Sequence, residues 1–380
     1  MILESFIAKL NANIFLREFS FAKNTFLLSS GQEVEFADHV IWIGDSLIIY
    51  QLKEREVQSQ TTQDSEIKWF ENKVIKKAVK QIRATINYIN SKETIIIENQ
   101  RNIKIHMNGQ EVKKMFKVIL YLSSSFNTTD HENTKFYESS TAGFIHLIAF
   151  EDYIDILNTL VTPTEIMEYL VFRQSLLERW KNKSFIPSEK SFIGQFIYGD
   201  NDQMPSSDYN VYFDRLINEF QKFDVHFLLE SFLDKIVFNN TTDYYTILGE
   251  IATLNRTELG CFKNRFELSI EKCASDDAEQ PYIMYSLKNN CVFVFIPLPQ
   301  SAKKYQQIAL ENFTFAGKYT QKAGKCVGIS FFKDGEYFNI NWCFMEHNWE
   351  YEEEMEKQLA DNYPFRPVSE RISQRYEYEQ

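Results

Sequence analysis

The sequence lacks the signatures of several large enzyme classes. Its 380 residues include only 6 histidines and 5 cysteines, which are scattered and match no zinc-ligand spacing. It has no glycine-rich phosphate loop, which excludes the common ATPases and nucleotide-cofactor enzymes, and no Gly-x-Ser-x-Gly elbow. The cysteines are odd in number and far apart, so we expect free thiols in a cytoplasmic protein.

Long apolar runs are also missing. The longest, near Cys291–Leu298, is too short to span a bilayer. The first residues include Glu4 and Lys9 without the apolar core of a secretory leader. We therefore expect a cytoplasmic protein that does not associate with membranes.

Positive charge is outnumbered. The chain has 41 Lys and Arg against 53 Asp and Glu, for a net charge of −12. Such a chain is not expected to bind DNA indiscriminately, although a local basic site is compatible with it. Acidic residues concentrate in 346–356, which predicts an exposed acidic helix; the alternative is a docking or autoinhibitory surface.

The most informative stretch is a pair of predicted strands, 38–43 and 46–53, joined by a short turn at residues 44 and 45. Pairing of residues whose numbers sum to 89 places Asp38 opposite Gln51. Gln51 and Lys53 point to the same side because strand side chains alternate. We therefore expect Asp38, Gln51 and Lys53 to converge at one edge of a sheet.

These residues carry the groups that phosphodiester hydrolysis needs. The Asp38 carboxylate, the Gln51 amide oxygen and the Leu52 carbonyl could ligate Mg²⁺ or Mn²⁺, because such ions favour oxygen-rich sites. Lys53 could orient the attacking water or neutralise charge in the transition state. Taken singly, the aspartate and the lysine are more often a turn residue and a solvated strand end. Their shared register favours the functional interpretation.

This arrangement resembles the PD-(D/E)xK nuclease superfamily, in the variant with Gln-x-Lys in place of Glu-x-Lys. Asp38, Gln51 and Lys53 carry the resemblance, which covers residues 1–125. It implies a restriction-endonuclease-like mixed sheet flanked by helices, and nuclease activity that depends on Mg²⁺ or Mn²⁺. The departure is Gln51, since an amide is a poorer metal ligand than a carboxylate. Members of the superfamily also use a glutamate on the first helix and a polar residue on the helix after the lysine strand, which Glu4 and Gln81 match here.

A basic helix is predicted after the lysine strand. Residues 68–90 place apolar side chains at helical spacing, and the resemblance implies that this helix packs beside the active site. This helix has one acidic residue, Glu71, beside its basic residues, which are therefore candidates for binding backbone phosphates. The alternative is an ordinary solvated helix face. The basic residues are Lys68, Lys73, Lys76, Lys77, Lys80 and Arg83.

The pattern along the chain predicts three sections. Residues 1–125 form an α/β nuclease-like domain, 126–279 a mainly helical domain, and 280–380 an α+β domain. Residues 115–125 are interpreted as the last strand of the first sheet. Thr162, Pro163 and Glu165 form the start signal of a helix.

Together these features predict a metal-dependent endonuclease that acts on nucleic acid, with DNA favoured over RNA. We hypothesise that it is the effector of a bacterial antiviral defence or restriction system. Residues 126–380 are expected to bind a protein partner or to form a homo-oligomer. The alternative is a catalytically inactive nuclease fold that scaffolds a multi-protein complex.

Overall fold

The computed structural model of the chain describes residues 13–22, 25–27, 33–55, 62–91, 94–99, 102–123, 134–181, 186–199, 202–229, 241–275 and 280–367. Glu4, predicted as an additional site residue, lies outside the described residues. Backbone contacts divide the chain into two compact units, Met1–Phe220 and Gln221–Gln380.

The strands of the first unit form one large sheet and two small ribbons. They are β1 (Ser20–Ala22), β2 (Thr25–Leu27), β3 (Glu33–Glu35), β4 (His39–Ile43), β5 (Ser46–Glu54), β6 (Thr94–Glu98), β7 (Lys104–Asn108), β8 (Lys114–Leu122), β9 (Phe136–Ser139) and β10 (Gly143–Ala149). The large sheet has the order β1-β4-β5-β8-β10-β9. Its first three strands are antiparallel, β5, β8 and β10 are parallel, and β9 returns antiparallel.

The helices up to residue 223 include those that cover both faces of this sheet. They are α1 (Ile14–Phe19), α2 (Gln63–Trp69), α3 (Ala78–Asn90), α4 (Phe150–Thr159), α5 (Pro163–Arg179), α6 (Glu189–Tyr198) and α7 (Phe213–Phe223), with 3₁₀ turns at Gly109–Glu111 and Ser207–Tyr212. On one face Ile49 of β5 packs in a core that includes Val74 and Ile82. On the other face the Tyr50 hydroxyl meets the Tyr153 hydroxyl of α4 at 2.5 Å. The predicted α/β class, a mixed sheet flanked by helices, is confirmed.

The predicted basic helix is longer and less regular than expected. It runs continuously from Gln63 to Asn90, and α2 joins α3 through a π-helical segment, Phe70–Lys77. The sequence explains the widened turn, because the buried residues Phe70, Val74, Ala78 and Ile82 recur every four positions. Spacing by four overshoots an α-helical turn of 3.6 residues, and a wider π turn keeps these side chains facing the core.

The large sheet does not end at the predicted final strand. β10 pairs with β8 in parallel register, with His146 opposite Val118, so the sheet extends well past residue 125. The sequence predicts section boundaries at 125 and 279, whereas the contacts divide the chain after Phe220. The pairing of β10 with β8 joins strands that are distant in sequence, which local patterning does not reveal.

The second unit contains a four-stranded sheet between two helices. Its elements are α8 (His226–Leu229), α9 (Thr241–Ala252), α10 (Arg256–Ser275), β11 (Tyr282–Ser286), β12 (Cys291–Leu298), a 3₁₀ turn (Gln300–Tyr305), α11 (Gln306–Thr320), β13 (Lys325–Asp334), β14 (Tyr337–Glu346) and α12 (Glu353–Asp361). The strand order follows the chain, and only β12 and β13 are parallel. Gly328 of β13 allows α11 to approach closely, since a Cβ there would lie 1.8 Å from the Thr314 hydroxyl. Residues 280–380 contain both strands and helices, in agreement with the α+β character expected from the sequence.

Helix ends agree in part with the sequence signals. Thr162 caps α5 by accepting a hydrogen bond from the Glu165 amide at 3.1 Å, as predicted. The Glu165 carboxylate in turn accepts a hydrogen bond from the Val161 amide at 2.6 Å. The acidic stretch 346–356 is helical only from Glu353, in α12, where its glutamates are exposed. Among the described residues, no helix is long and apolar enough to cross a membrane.

Candidate active site

The hairpin of β4 and β5 sets the register of the candidate site. His39 lies opposite Tyr50 and Val40 opposite Ile49, so paired residue numbers sum to 89, which confirms the predicted register. The turn consists of two residues, and Gly44 occupies its first position at φ +53°. Glycine at this position with positive φ matches the type II′ turn, whose twist suits a two-residue hairpin. Asp38 therefore continues the register to a position opposite Gln51.

Three oxygens and one ammonium meet at this point. The Lys53 Nζ atom donates hydrogen bonds to Asp38 Oδ2 at 3.1 Å, to Gln51 Oε1 at 3.1 Å and to the Leu52 carbonyl oxygen at 3.0 Å. The predicted convergence of Asp38, Gln51 and Lys53 is confirmed as geometry. The predicted carbonyl, that of Leu52, joins the same cluster.

The backbone explains why Asp38 is held so firmly. Strand β4 begins at His39, so it offers no ladder partner to the Leu52 amide. Asp38 Oδ2 accepts a hydrogen bond from that amide at 2.6 Å and completes the pairing with a side chain. Gln51 is buried, whereas the side chains of Asp38 and Lys53 keep 19% and 11% of their exposure. The cluster is thus largely buried but remains partly accessible to solvent.

His39 adjoins Asp38 in sequence but belongs to the opposite face of the sheet, as expected from strand alternation. Its ring lies beside that of Tyr50 and is fully buried. Neither ring nitrogen has a hydrogen-bond partner in the described part of the chain. Burial lowers the pKa of His39 to about 4, since the charged imidazolium is poorly solvated there.

Two residues that sequence analysis did not single out position the helix beside the cluster. The Arg55 guanidinium donates to the Ser65 carbonyl at 2.8 Å and forms an ion pair with the buried Glu66 at 3.0 Å. It also lies over the Trp69 ring at 5.7 Å. Two features of the sequence could have identified them. Arg55 follows Lys53 by two residues, and Glu66 is an acidic residue in the first turn of the next helix.

The basic residues of this helix are exposed, which is what a phosphate-binding surface requires. Lys76 and Lys77 each lie three or four positions from both Lys73 and Lys80, so the four side chains form one stripe. Lys76 also bonds to Asn72 at 3.1 Å. We call the full set the basic stripe: Lys68, Lys73, Lys76, Lys77, Lys80 and Arg83.

The oxygen cluster has the chemistry of a site for a hard cation. A carboxylate, an amide oxygen and a backbone carbonyl already surround one positive charge, and these are ligand types that Mg²⁺ and Mn²⁺ accept. It has a single carboxylate, however, and the described residues contain no group of three or more His, Cys, Asp or Glu side chains that could hold a metal. The predicted donors therefore fit a weakly held cation that keeps several waters.

Gln81, the other additional candidate, lies on α3 one turn before Thr85, whose hydroxyl donates to the Phe36 carbonyl. The Gln81 amide oxygen is buried and has no hydrogen-bond partner among the described residues. No described hydrogen bond joins it to the Asp38 cluster, so its role stays a prediction.

The second unit contains a similar hairpin, followed by a helix and a parallel strand, but without polar groups at the corresponding positions. Its first hairpin pair is Tyr282 with Phe295, where the first unit has His39 with Tyr50. Counting from these pairs, Pro281, Ile296 and Leu298 occupy the positions of Asp38, Gln51 and Lys53. The polar cluster is therefore a specific feature of the first hairpin rather than a consequence of the topology.

No protein-family model, curated protein or solved structure matched the chain. The functional assignment consequently depends on the chemistry and geometry of the Asp38 cluster.

Proposed function

We propose that this protein is a metal-dependent nuclease of the PD-(D/E)xK type, with its active site at the Asp38 cluster. The observation that carries the proposal is the meeting of Asp38 Oδ2, Gln51 Oε1 and Leu52 O at 3.0–3.1 Å from the Lys53 ammonium. Oxygen ligands beside a fixed ammonium are what hydrolysis of a phosphodiester bond needs.

The residues have distinct roles in this proposal. Asp38, Gln51 and the Leu52 carbonyl hold the divalent cation, Mg²⁺ or Mn²⁺. When bound, the cation supplies Lewis acidity, which polarises a phosphoryl oxygen and lowers the pKa of water. Lys53 provides a positive charge close to the phosphate, where negative charge develops in the transition state. Gln51 is buried and so has little freedom to turn its amide oxygen away from the cluster.

The basic stripe brings the nucleic acid to the cluster. It lies on the helix that Arg55 and Glu66 join to the end of β5, only two residues beyond Lys53. Contacts with backbone phosphates from lysine and arginine supply affinity without reading sequence. Because the net charge of the chain is −12, nucleic acid is expected to bind at such a local basic surface rather than elsewhere on the protein. We propose DNA as the substrate.

The architecture of the first unit supports a restriction-endonuclease-like fold. Strand β5, which carries Gln51 and Lys53, lies between the antiparallel hairpin partner β4 and the parallel strand β8, reached through the basic helix. The resemblance implies such a mixed sheet, with a helix packed beside the lysine strand.

Cleavage assays test the proposal directly. Plasmid, linear duplex and single-stranded DNA are incubated with the full chain in Mg²⁺, Mn²⁺ or EDTA. We expect cleavage with either metal, none in EDTA, and none for Lys53→Ala. The matched control is Asp45→Asn, which removes a carboxylate from the turn of the same hairpin. Cleavage that persists in EDTA or in Lys53→Ala would reject the proposed site.

The second candidate function is an inactive nuclease fold that scaffolds a complex. The single carboxylate of the cluster favours it, because Gln51 stands where a second acidic ligand would give stronger metal binding. This candidate predicts DNA or protein binding without cleavage under any metal condition. Gln51→Glu would then be expected to create metal affinity where the native chain has little.

The wider role we propose is that of effector in a bacterial antiviral defence or restriction system. In this role residues 126–380 bind a partner protein or another copy of the chain. A phage challenge of cells expressing the native chain or Lys53→Ala tests this role. Equal phage survival with both would reject it.

A further inference from the structure

The Lys53 ammonium lies among the same three oxygens that are proposed to hold the divalent cation. Its distances to Asp38 Oδ2, Gln51 Oε1 and Leu52 O differ by only 0.1 Å, from 3.0 to 3.1 Å. We propose that Lys53 is an internal competitor of the divalent cation, and that the cation must displace its ammonium before the site can act. This inference builds on the proposed function and adds a regulatory property to it.

The two positive charges exclude one another on physical grounds. Mg²⁺ needs oxygen ligands at about 2.0–2.1 Å, so these oxygens would close on the ion and leave no room for the ammonium among them. A unit charge and a divalent ion a few ångströms apart also repel strongly where water is partly excluded. Asp38 and Lys53 keep only 19% and 11% of their side-chain exposure, so solvent screens this repulsion incompletely.

The displaced ammonium can turn toward solvent, because Lys53 lies near the end of β5 and its side chain is partly exposed. On the same face of the sheet its neighbour on β8 is Tyr121. The apolar stem of a lysine can lie along such a side chain while its ammonium stays in solvent. Four rotatable bonds make the exchange feasible without movement of the strand.

The exchange gives the cation a second effect. Before displacement, Lys53 neutralises Asp38 and stabilises the cluster; afterwards, its charge is free to meet a phosphate. The Lys53 contacts would therefore raise the concentration of divalent cation at which half of the sites are occupied. Removing the ammonium should strengthen cation binding even though it abolishes cleavage.

Metal binding to the full chain, without nucleic acid, tests the inference. Free Mn²⁺ is measured by electron paramagnetic resonance for the native chain and for Lys53→Met, which keeps the apolar stem without the charge. We expect Lys53→Met to bind Mn²⁺ at least about tenfold more tightly. The double variant Asp38→Asn/Lys53→Met should lose this gain. Lys325→Met is the control, because Lys325 forms an ion pair with Glu250 at 2.6 Å in the second unit.

Salt separates direct competition from long-range repulsion. The Debye length falls from about 10 Å at 0.1 M salt to about 3 Å at 1 M, so a through-space effect of the lysine charge would largely disappear. Competition for the same oxygens would persist. Unchanged or weaker Mn²⁺ binding by folded Lys53→Met, or a gain that vanishes at about 1 M salt, would overturn the inference. Lys53→Ala is the second variant should Lys53→Met not fold.

The outcome is distinguishable from failure of the proposed nuclease function. A native chain that never cleaves DNA, together with a Lys53→Met variant of higher Mn²⁺ affinity, would reject the nuclease and retain the competition. Cleavage by the native chain, together with equal Mn²⁺ affinity of the native chain and Lys53→Met, would retain the nuclease and reject the competition.

Discussion

The Asp38 carboxylate accepts a hydrogen bond from the Leu52 amide at 2.6 Å, which gives one side chain both a structural and a chemical task. The same oxygen accepts a hydrogen bond from Lys53 at 3.1 Å. From the sequence, Asp38 was expected only to be a metal ligand. The structure indicates that removal of Asp38 also leaves the Leu52 amide without its hydrogen-bond acceptor.

Two substitutions of Asp38 should therefore differ in the free energy of unfolding but should both abolish activity. Asp38→Ala leaves the Leu52 amide without its acceptor, which costs about 1–3 kcal/mol. Asp38→Asn keeps an acceptor oxygen and should lose less than half of that amount. Both should abolish cleavage. Urea denaturation and the plasmid assay measure the two properties on the same samples. Equal stability of the two variants would show that the Leu52 hydrogen bond contributes little.

The basic stripe should control the salt dependence of DNA binding. Each phosphate contact contributes about −0.9 to the slope of log affinity against log salt. Replacing Lys73, Lys76, Lys77 and Lys80 with Gln should therefore flatten the slope by about 3 to 4 and weaken binding equally for all sequences. Fluorescence anisotropy over a salt series measures this.

A matched control for that experiment lies in the second unit. The four exposed lysines Lys303, Lys304, Lys322 and Lys357 can be replaced with Gln for the same change in net charge. This variant should keep the native slope. If both quadruple variants change the slope alike, net charge rather than the basic stripe governs binding.

Local physics explains what the sequence could predict. A two-residue turn at Gly44 fixes the pairing of its flanking strands, so the register of Asp38 and Gln51 follows from residue counting. Strand alternation then assigns Gln51 and Lys53 to one face and His39 to the other. These features need no knowledge of distant residues.

Features that depend on distant residues were not predictable in the same way. The spacing by four of Phe70 and Val74 is visible in the sequence, but which of the helix residues are buried depends on a sheet formed by strands elsewhere in the chain. The pairing of β10 with β8 places His146 opposite Val118, although the two residues are far apart in the sequence, and it extends the large sheet beyond residue 125. The direction of the Lys53 ammonium, toward the oxygens rather than solvent, depends on a strand end that β4 leaves unpaired.

A buried ion pair far from the cluster should be important for folding. Arg173 and Glu189 are fully buried and bond at 2.6 Å, and Arg173 also donates to the Leu147 carbonyl at 3.1 Å, which joins α5 and α6 to β10. Glu189→Gln leaves the guanidinium without a charged partner and should cost about 3–5 kcal/mol. The double variant Arg173→Met/Glu189→Gln should recover part of this loss. Thermal unfolding measures both, and a Glu189→Gln variant of native stability would show that the remaining contacts suffice.

His39 should make the protein less stable as the pH falls. Burial holds its pKa at about 4, below the ordinary value of about 6.5 in the unfolded chain. The unfolded state therefore takes up the proton first, and stability present above about pH 6.5 is lost progressively toward pH 4.

Replacing His39 with Leu should remove this contribution. Between about pH 7 and pH 5 the native chain should lose about 2 kcal/mol more than His39→Leu, from the difference in proton uptake. Urea denaturation at the two pH values measures it, and His106→Gln, at an exposed histidine of β7, is the control. Burial also lowers the pKa of His146, which remains in both proteins, so only the difference between them reports on His39. Identical pH dependence in the two proteins would mean that His39 is not buried as a neutral ring.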